Sequence, residues 1–97
     1  MQVTFTQHAV ERMQQRLRVN ISTTRAINIA QGFTKSHAYT NTSTGRLCEA
    51  WCSNDPKMKV VLIVDCLRRA VVTVYLHGSI TGLNTPFVDE CYAKLAR

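Results

Sequence analysis

The sequence predicts one small α+β domain with helices at both ends and an antiparallel sheet between them. Hydrophobic residues recur every three or four positions near the N-terminus, whereas from residue 34 onwards they alternate or run together. With 97 residues, 45% of them hydrophobic, the chain can form one core but not two. The expected architecture is two N-terminal helices, a four-stranded antiparallel sheet and one C-terminal helix.

Two helices are predicted at the start of the chain. Thr6 is a suitable N-cap for a helix over residues 7–17, whose apolar side chains recur at spacings of three and four. The pattern then breaks, after which Ser22 can cap a second helix over residues 23–31. Gly32 is suited to end that helix.

Four strands are predicted next, over residues 34–40, 46–52, 59–65 and 70–76. The third is apolar on both faces and is therefore expected to be central. The last two strands are joined by a short connection and are expected to form a hairpin. Thr85-Pro86 has the form of an N-cap followed by an N1 proline, which predicts a final helix over residues 86–96.

The chain is basic, with twelve Lys and Arg against six Asp and Glu and a formal net charge of +6. Eight of the twelve are Arg, whose planar guanidinium binds two phosphate oxygens at once. This composition favours a nucleic acid as partner or substrate. An acidic protein is the main alternative partner.

Membrane, metal and cofactor functions are not expected. The longest apolar run, Val60–Val64, is too short to span a bilayer, and the N-terminus has no secretory pattern, so we expect a cytoplasmic protein. Cys48 and Cys52 would lie about 13 Å apart along a strand, too far for two ligands of one zinc ion. The carboxylates form no recognisable metal motif, and the four glycines form no phosphate-binding loop.

A cationic row on the first helix is the candidate functional feature. His8, Arg12 and Arg16 are spaced four apart, which places them about 40° from one another along one border of the apolar stripe. The row begins in the first turn of the helix, where backbone N–H groups favour an anion. The expected ligand is a phosphate, and the alternative is an ordinary solvated flank of a helix.

These residues resemble the opening signature of the small bacterial and phage domains grouped as DUF4258. The first motif is Phe5-Thr6-x-His8-Ala9-x-x-Arg12-Met13-x-x-Arg16, and the second is Val72-Thr73-Val74-Tyr75. The resemblance covers about residues 3–76. That family has been placed with RelE-like and barnase-like ribonuclease folds, many of which are toxins. The resemblance therefore implies a single RelE-like domain over residues 1–97, with the cationic row facing the concave side of the sheet near Thr73 and Tyr75.

The chemistry implied is metal-independent cleavage of RNA by a toxin-like ribonuclease. Such cleavage needs an acid–base group near neutral pH and cations that stabilise charge on the phosphate. The residues expected to carry the chemistry are His8, Arg12, Arg16, Tyr75 and His77. Those expected to contact substrate are Thr73, Arg68 and Arg69. The partners expected are RNA, whether free or on a ribosome, and an antitoxin or host protein.

Residues 77–97 form a C-terminal extension relative to the family, and the middle of the chain is divergent. A helix in this extension would cover the active face or dock a partner. The alternative hypothesis is therefore a non-catalytic phage or mobile-element protein that binds and inhibits a host enzyme or a nucleic-acid-binding complex. A third hypothesis is plain binding of RNA or DNA without chemistry.

Overall fold

The computed structural model describes residues 3–17, 22–55, 59–77 and 85–96. These residues form an α+β fold of three helices and five strands. In chain order the elements are β1 (Thr4–Phe5), α1 (Gln7–Leu17), α2 (Thr23–Ala30), β2 (Thr34–Thr40), β3 (Leu47–Cys52), β4 (Val60–Asp65), β5 (Ala70–Leu76) and α3 (Thr85–Leu95).

The fold is α+β as predicted, but the predicted architecture, in which a four-stranded antiparallel sheet follows two N-terminal helices, is wrong. A strand precedes the helices, and the sheet has five strands in the order β1-β5-β4-β3-β2. β1 pairs parallel with β5, whereas all other neighbours are antiparallel, so the sheet is mixed. A strand of two residues is too short to show alternation, and for this reason the sequence pattern does not reveal it.

α1 and α2 begin at the polar caps that the sequence predicts. The Oγ1 atom of Thr6 accepts a hydrogen bond from the backbone N–H of Ala9 at 3.1 Å, and Oγ of Ser22 accepts one from that of Arg25 at 3.2 Å. A cap of this kind contributes about 1 kcal/mol. The Thr6 hydroxyl also donates to the carbonyl oxygen of Val71 at 3.2 Å, so the same side chain fixes the start of α1 to β5.

Helices cover both faces of the sheet. α1 and α2 contribute Ala9, Met13, Ala26 and Ala30 to the hydrophobic cluster on one face. α3 contributes Val88 and Cys91 to the cluster on the other. β4 lies in the middle of the sheet and is buried along its whole length, as predicted. None of the described helices has the length and apolar character needed to cross a membrane.

A β-bulge in β5 determines which face its later residues occupy. Ile63 is paired with Thr73 and Val64 with Val71, so Val72 has no partner in β4. Strict alternation from Val71 would place Tyr75 on the face of α1. The extra residue reverses the alternation, and Tyr75 instead packs with the cluster on the α3 face.

Candidate functional site

The cationic row of α1 lies beside an open edge of the sheet. α1 packs against β5, and β1 is paired only with Ala70 and Val71. From Val72 onwards, this edge of β5 therefore has no neighbouring strand within the described residues. The side chain of His8 is exposed, and those of Arg12 and Arg16 are half-buried. We call these three residues the α1 row.

Arg16 links α1 to both the edge and the far face of the sheet. Its NH1 group donates a hydrogen bond to the carbonyl oxygen of Val74. Its Cζ atom lies 5.7 Å from the centroid of the Tyr75 ring, which is a cation–π contact. Burial and, after it, the charge of Arg12 lower the pKa of Arg16 from its ordinary value, while Tyr75 acts in the opposite sense. The guanidinium remains charged at neutral pH, with further N–H groups available to a ligand.

His8 and Arg12 are in direct contact. The Nε atom of Arg12 donates to Nε2 of His8 at 3.4 Å, and NH1 of Arg12 donates to Oε1 of Gln15 at 3.3 Å. A ring nitrogen that accepts a hydrogen bond is unprotonated, so this geometry corresponds to the neutral imidazole. In this tautomer Nε2 is the nitrogen that takes up a proton, so general base catalysis by His8 requires its contact with Arg12 to open.

Arg12 and Arg16 differ from Arg46, Arg68 and Arg69, which lie in the connections between strands, because neither is paired with a carboxylate of the described residues. Their positive charges lie close enough for Arg12 to lower the pKa of Arg16. Two uncompensated cations repel each other, so an anion placed between them would be stabilised. The α1 row therefore has the charge distribution of an anion site.

Arg68 and Arg69, which were expected to contact substrate, form ion pairs within the protein. The Nε atom of Arg68 is 3.8 Å from Oδ2 of Asp65, and NH1 of Arg69 is 3.2 Å from Oε1 of Glu49. Both arginines precede the first residue of β5, whereas Tyr75 lies near its last. The structure thus places them at the opposite end of β5 from the contact between Arg16 and Tyr75.

Thr73, Tyr75 and His77 lie towards α3. Thr73 is half-buried and paired with Ile63, a member of the α3-face cluster. The Nε2 atom of His77 is 3.1 Å from Oδ1 of Asp89 on α3. Within the described contacts, Tyr75 meets the α1 row through Arg16, whereas Thr73 and His77 do not.

An aromatic cluster that the sequence does not predict lies on the α3 face. The centroid of the Phe87 ring is 5.5 Å from that of Tyr75 and 5.7 Å from that of Tyr39, both with edge-on geometry. Burial raises the pKa of Tyr39 above its ordinary value of 10.0, so its hydroxyl stays neutral and can donate a hydrogen bond. The three rings come from β2, β5 and α3, and no local sequence pattern connects them.

A cavity of about 340 Å³ opens beside this cluster. It is lined by Tyr39, Thr40, Asn41, Thr42, Tyr75 and Phe87. We call it the aromatic cavity. Because Tyr75 both lines this cavity and lies under the guanidinium of Arg16, the cavity is adjacent to one end of the α1 row.

The part of the chain that the structure describes contains no candidate metal site. No group of three or more His, Cys, Asp or Glu side chains is arranged there to hold an ion. Cys48 and Cys52 are buried on the α3 face together with Cys91, where all three contribute to the hydrophobic cluster.

Comparisons with protein-family models, with curated proteins and with solved structures give no match. The geometry of the α1 row and of the aromatic cavity is therefore the basis for a functional assignment.

Proposed function

We propose that this protein is a metal-independent ribonuclease that binds a substrate phosphate at Arg12 and Arg16 and uses His8 as its acid–base group. The observation that carries the proposal is a pair of neighbouring guanidinium groups that have no carboxylate partner among the described residues, one of them bonded to an exposed imidazole. The resemblance of residues 3–76 to DUF4258 domains supports the same chemistry and suggests a toxin-like role.

The reaction uses the 2′-hydroxyl of RNA as its nucleophile. Once the contact with Arg12 opens, Nε2 of neutral His8 takes the proton of that hydroxyl, and the oxygen attacks the adjacent phosphorus. Arg12 and Arg16 stabilise the negative charge that accumulates on the phosphate oxygens. The bond to the 5′-oxygen breaks, that oxygen takes up a proton, and a 2′,3′-cyclic phosphate remains. DNA lacks the nucleophile and is left intact.

The other predicted site residues differ in how they contact the α1 row. Tyr75 contacts Arg16 and is well placed beside a bound phosphate. His77 is held by Asp89, so any part it takes in proton transfer requires that contact to open. Thr73 stays a predicted substrate contact, as do Arg68 and Arg69, which would first have to exchange their carboxylate partners for phosphate.

Incubation of total RNA with the purified protein in excess EDTA tests the proposal. We expect the wild type to leave 2′,3′-cyclic phosphate ends, and His8→Ala and Arg12→Ala to cleave at least about 100-fold more slowly. Arg25→Ala is the matched control, because Arg25 is an exposed arginine on α2 outside the row. Circular dichroism establishes that each variant is folded.

Arg16→Ala is expected to lose cleavage as well, but it also removes the hydrogen bond to the carbonyl oxygen of Val74. Its result is therefore interpreted together with its unfolding curve. Undiminished cleavage by both His8→Ala and Arg12→Ala would show that the α1 row is not the active site.

A second candidate function is non-catalytic binding and inhibition of another protein. The observation that favours it is that α3 packs on the face carrying Thr73 and Tyr75, where the predicted active face would have to be open. In that case the wild type cleaves no RNA and forms a stable complex with one protein from a bacterial lysate. His8→Ala would leave that complex intact, whereas Glu90→Lys on the exposed side of α3 would disrupt it.

A further inference from the structure

We propose that the aromatic cavity binds one unpaired nucleobase of an RNA strand whose phosphate lies on the α1 row. The inference rests on the proposed function for the identity of the strand, and it adds a recognition site on the opposite face of β5. An unpaired base is required, because a base in a duplex cannot present its face to aromatic side chains.

The cavity is shallow and open to solvent, and its volume is that of a small-ligand site. Its volume of about 340 Å³ lies within the range of such sites, and three of its six lining residues are aromatic. Aromatic side chains stack on the faces of unpaired bases with little preference for sequence. Tyr39, Tyr75 and Phe87 are only partly buried, so their rings keep surface that a base can cover.

The packing of α3 covers these rings only in part. Val88 and Cys91 are completely buried in the contact of α3 with the sheet. The Phe87 ring meets the two tyrosine rings edge-on and leaves part of their surface exposed. Ser36 adds a hydrogen bond from its hydroxyl to the carbonyl oxygen of Cys91 at 2.7 Å. With α3 held by these contacts, the part-exposed rings are left to form one wall of the cavity.

Polar groups among the lining residues can contact the edge of a base. Oδ1 of Asn41 accepts hydrogen bonds from the backbone N–H groups of Ser43 and Thr44, at 2.9 and 3.3 Å. These bonds fix the orientation of the amide and leave its NH₂ group as a donor. The exposed hydroxyls of Thr40 and Thr42 can donate or accept, so the rim provides both kinds of hydrogen bond.

Arg16 connects the base site to the phosphate site. Its guanidinium lies over the Tyr75 ring, and that ring is a wall of the cavity. A strand with a phosphate at Arg12 and Arg16 can therefore turn a neighbouring base across the open edge of β5 onto the aromatic cluster. The bulge at Val72 is the cause of this geometry. It places Tyr75 on the α3 face, where the guanidinium of Arg16 contacts the Tyr75 ring from α1.

The test is an NMR titration with a short single-stranded 2′-O-methyl oligoribonucleotide, which the proposed chemistry cannot cleave. We expect ring-proton resonances of Tyr39, Tyr75 and Phe87 to shift on binding, with much smaller changes for Trp51 on the other face of the sheet. Tyr39→Leu should weaken binding about 10-fold, whereas Tyr39→Phe, which keeps the ring, should bind nearly as the wild type does.

Tyr92→Phe is the matched control, because Tyr92 is an α3 tyrosine whose hydroxyl bonds to Ser53 outside the cavity. Absence of binding, binding without shifts of the three rings, or unchanged affinity in Tyr39→Leu would each overturn the inference. Ring shifts in a protein that cleaves no RNA would instead uphold the base site and contradict the proposed ribonuclease activity.

Discussion

Asp65 shows how one buried carboxylate holds a connection between strands. Asp65 is 3% exposed, and its Oδ2 atom is 3.3 Å from NH1 of Arg46. Its Oδ1 atom accepts hydrogen bonds from the backbone N–H groups of Leu67 and Arg68, at 3.1 and 3.2 Å. The side chain therefore satisfies backbone groups in the β4–β5 connection and compensates two nearby arginines.

We expect Asp65→Ala to lower the free energy of unfolding by about 2 kcal/mol, because two part-buried backbone N–H groups lose their acceptor and two half-exposed arginines lose their ion pair. Urea denaturation measures the change. Glu90→Gln is the control, since Glu90 forms an exposed pair with Lys94 and its loss should cost less than about 0.5 kcal/mol. Similar losses for the two variants would contradict this role of Asp65.

Arg69 has an unfavourable backbone conformation for a residue with a side chain. Its φ angle is 53°, and its backbone N–H donates to the carbonyl oxygen of Asp65 at 2.9 Å. We expect Arg69→Gly to be more stable than Arg69→Ala by about 1 kcal/mol, because only glycine adopts this conformation without strain. Both variants lose the ion pair with Glu49, so that loss cancels in the comparison. Equal urea midpoints would show that the turn is not strained.

Glu49 joins three elements of the sheet. Its carboxylate is 3.0 Å from Nζ of Lys35 on β2 and 3.2 Å from NH1 of Arg69 at the start of β5, and it accepts a hydrogen bond from Nε1 of Trp51 on its own strand. Burial raises the pKa of Glu49, but the hydrogen bonds and charges of these partners outweigh it and hold the pKa below its ordinary value of 4.5.

This pKa predicts a dependence of stability on pH. A carboxylate with a lower pKa in the folded state stabilises the fold above the unfolded pKa, and that contribution is lost as the pH falls through the folded value. The difference in unfolding free energy between wild type and Glu49→Gln should thus be constant above about pH 5 and shrink below about pH 4.5. Urea titrations over this range measure it. A difference that does not change with pH would contradict the assignment.

Local sequence signals predict the single elements of this fold well, but not how the sheet is assembled. The helix over residues 7–17 and the strands over 34–40 and 70–76 have the predicted bounds, because capping and periodicity are local. The pairing of β1 with β5 depends on residues about 65 positions apart. The bulge at Val72 has no glycine to mark it, and one unpaired residue is enough to exchange the faces of Thr73 and Tyr75.

In the candidate site, too, local features can be predicted from the sequence, whereas tertiary contacts cannot. The contact between His8 and Arg12 follows from their spacing on one helix, and the sequence predicts it. The pairing of Arg68 and Arg69 with carboxylates and the aromatic cluster around Phe87 both depend on tertiary contacts. Composition identifies the arginines as a class, but only the fold separates those with carboxylate partners from those without.

The reactivity of the four cysteine thiols measures how well the sheet and α3 are packed. Cys48, Cys52 and Cys91 are buried between the sheet and α3, whereas Cys66 is partly exposed in the β4–β5 connection. We expect Ellman's reagent to modify one thiol rapidly in the native protein and all four after unfolding in guanidinium. Burial and neighbouring acidic groups raise the pKa of Cys66, so its rate should increase with pH. Rapid reaction of two or more thiols would show that α3 detaches from the sheet.

The parallel pairing of β1 with β5 has a consequence for the order of events during synthesis. β1 and α1 leave the ribosome before the other strands of the sheet, yet the strand against which they pack ends at Leu76. Until that strand has emerged, the apolar stripe of α1 has no sheet to cover, and a helix of eleven residues is only marginally stable alone. The antiparallel strands β2 to β5 are joined by short connections, so their pairing closes only short loops. The docking of α1 on β5 closes a long loop. The N-terminal segment that carries the candidate anion site is therefore expected to be among the last parts of the molecule to become ordered.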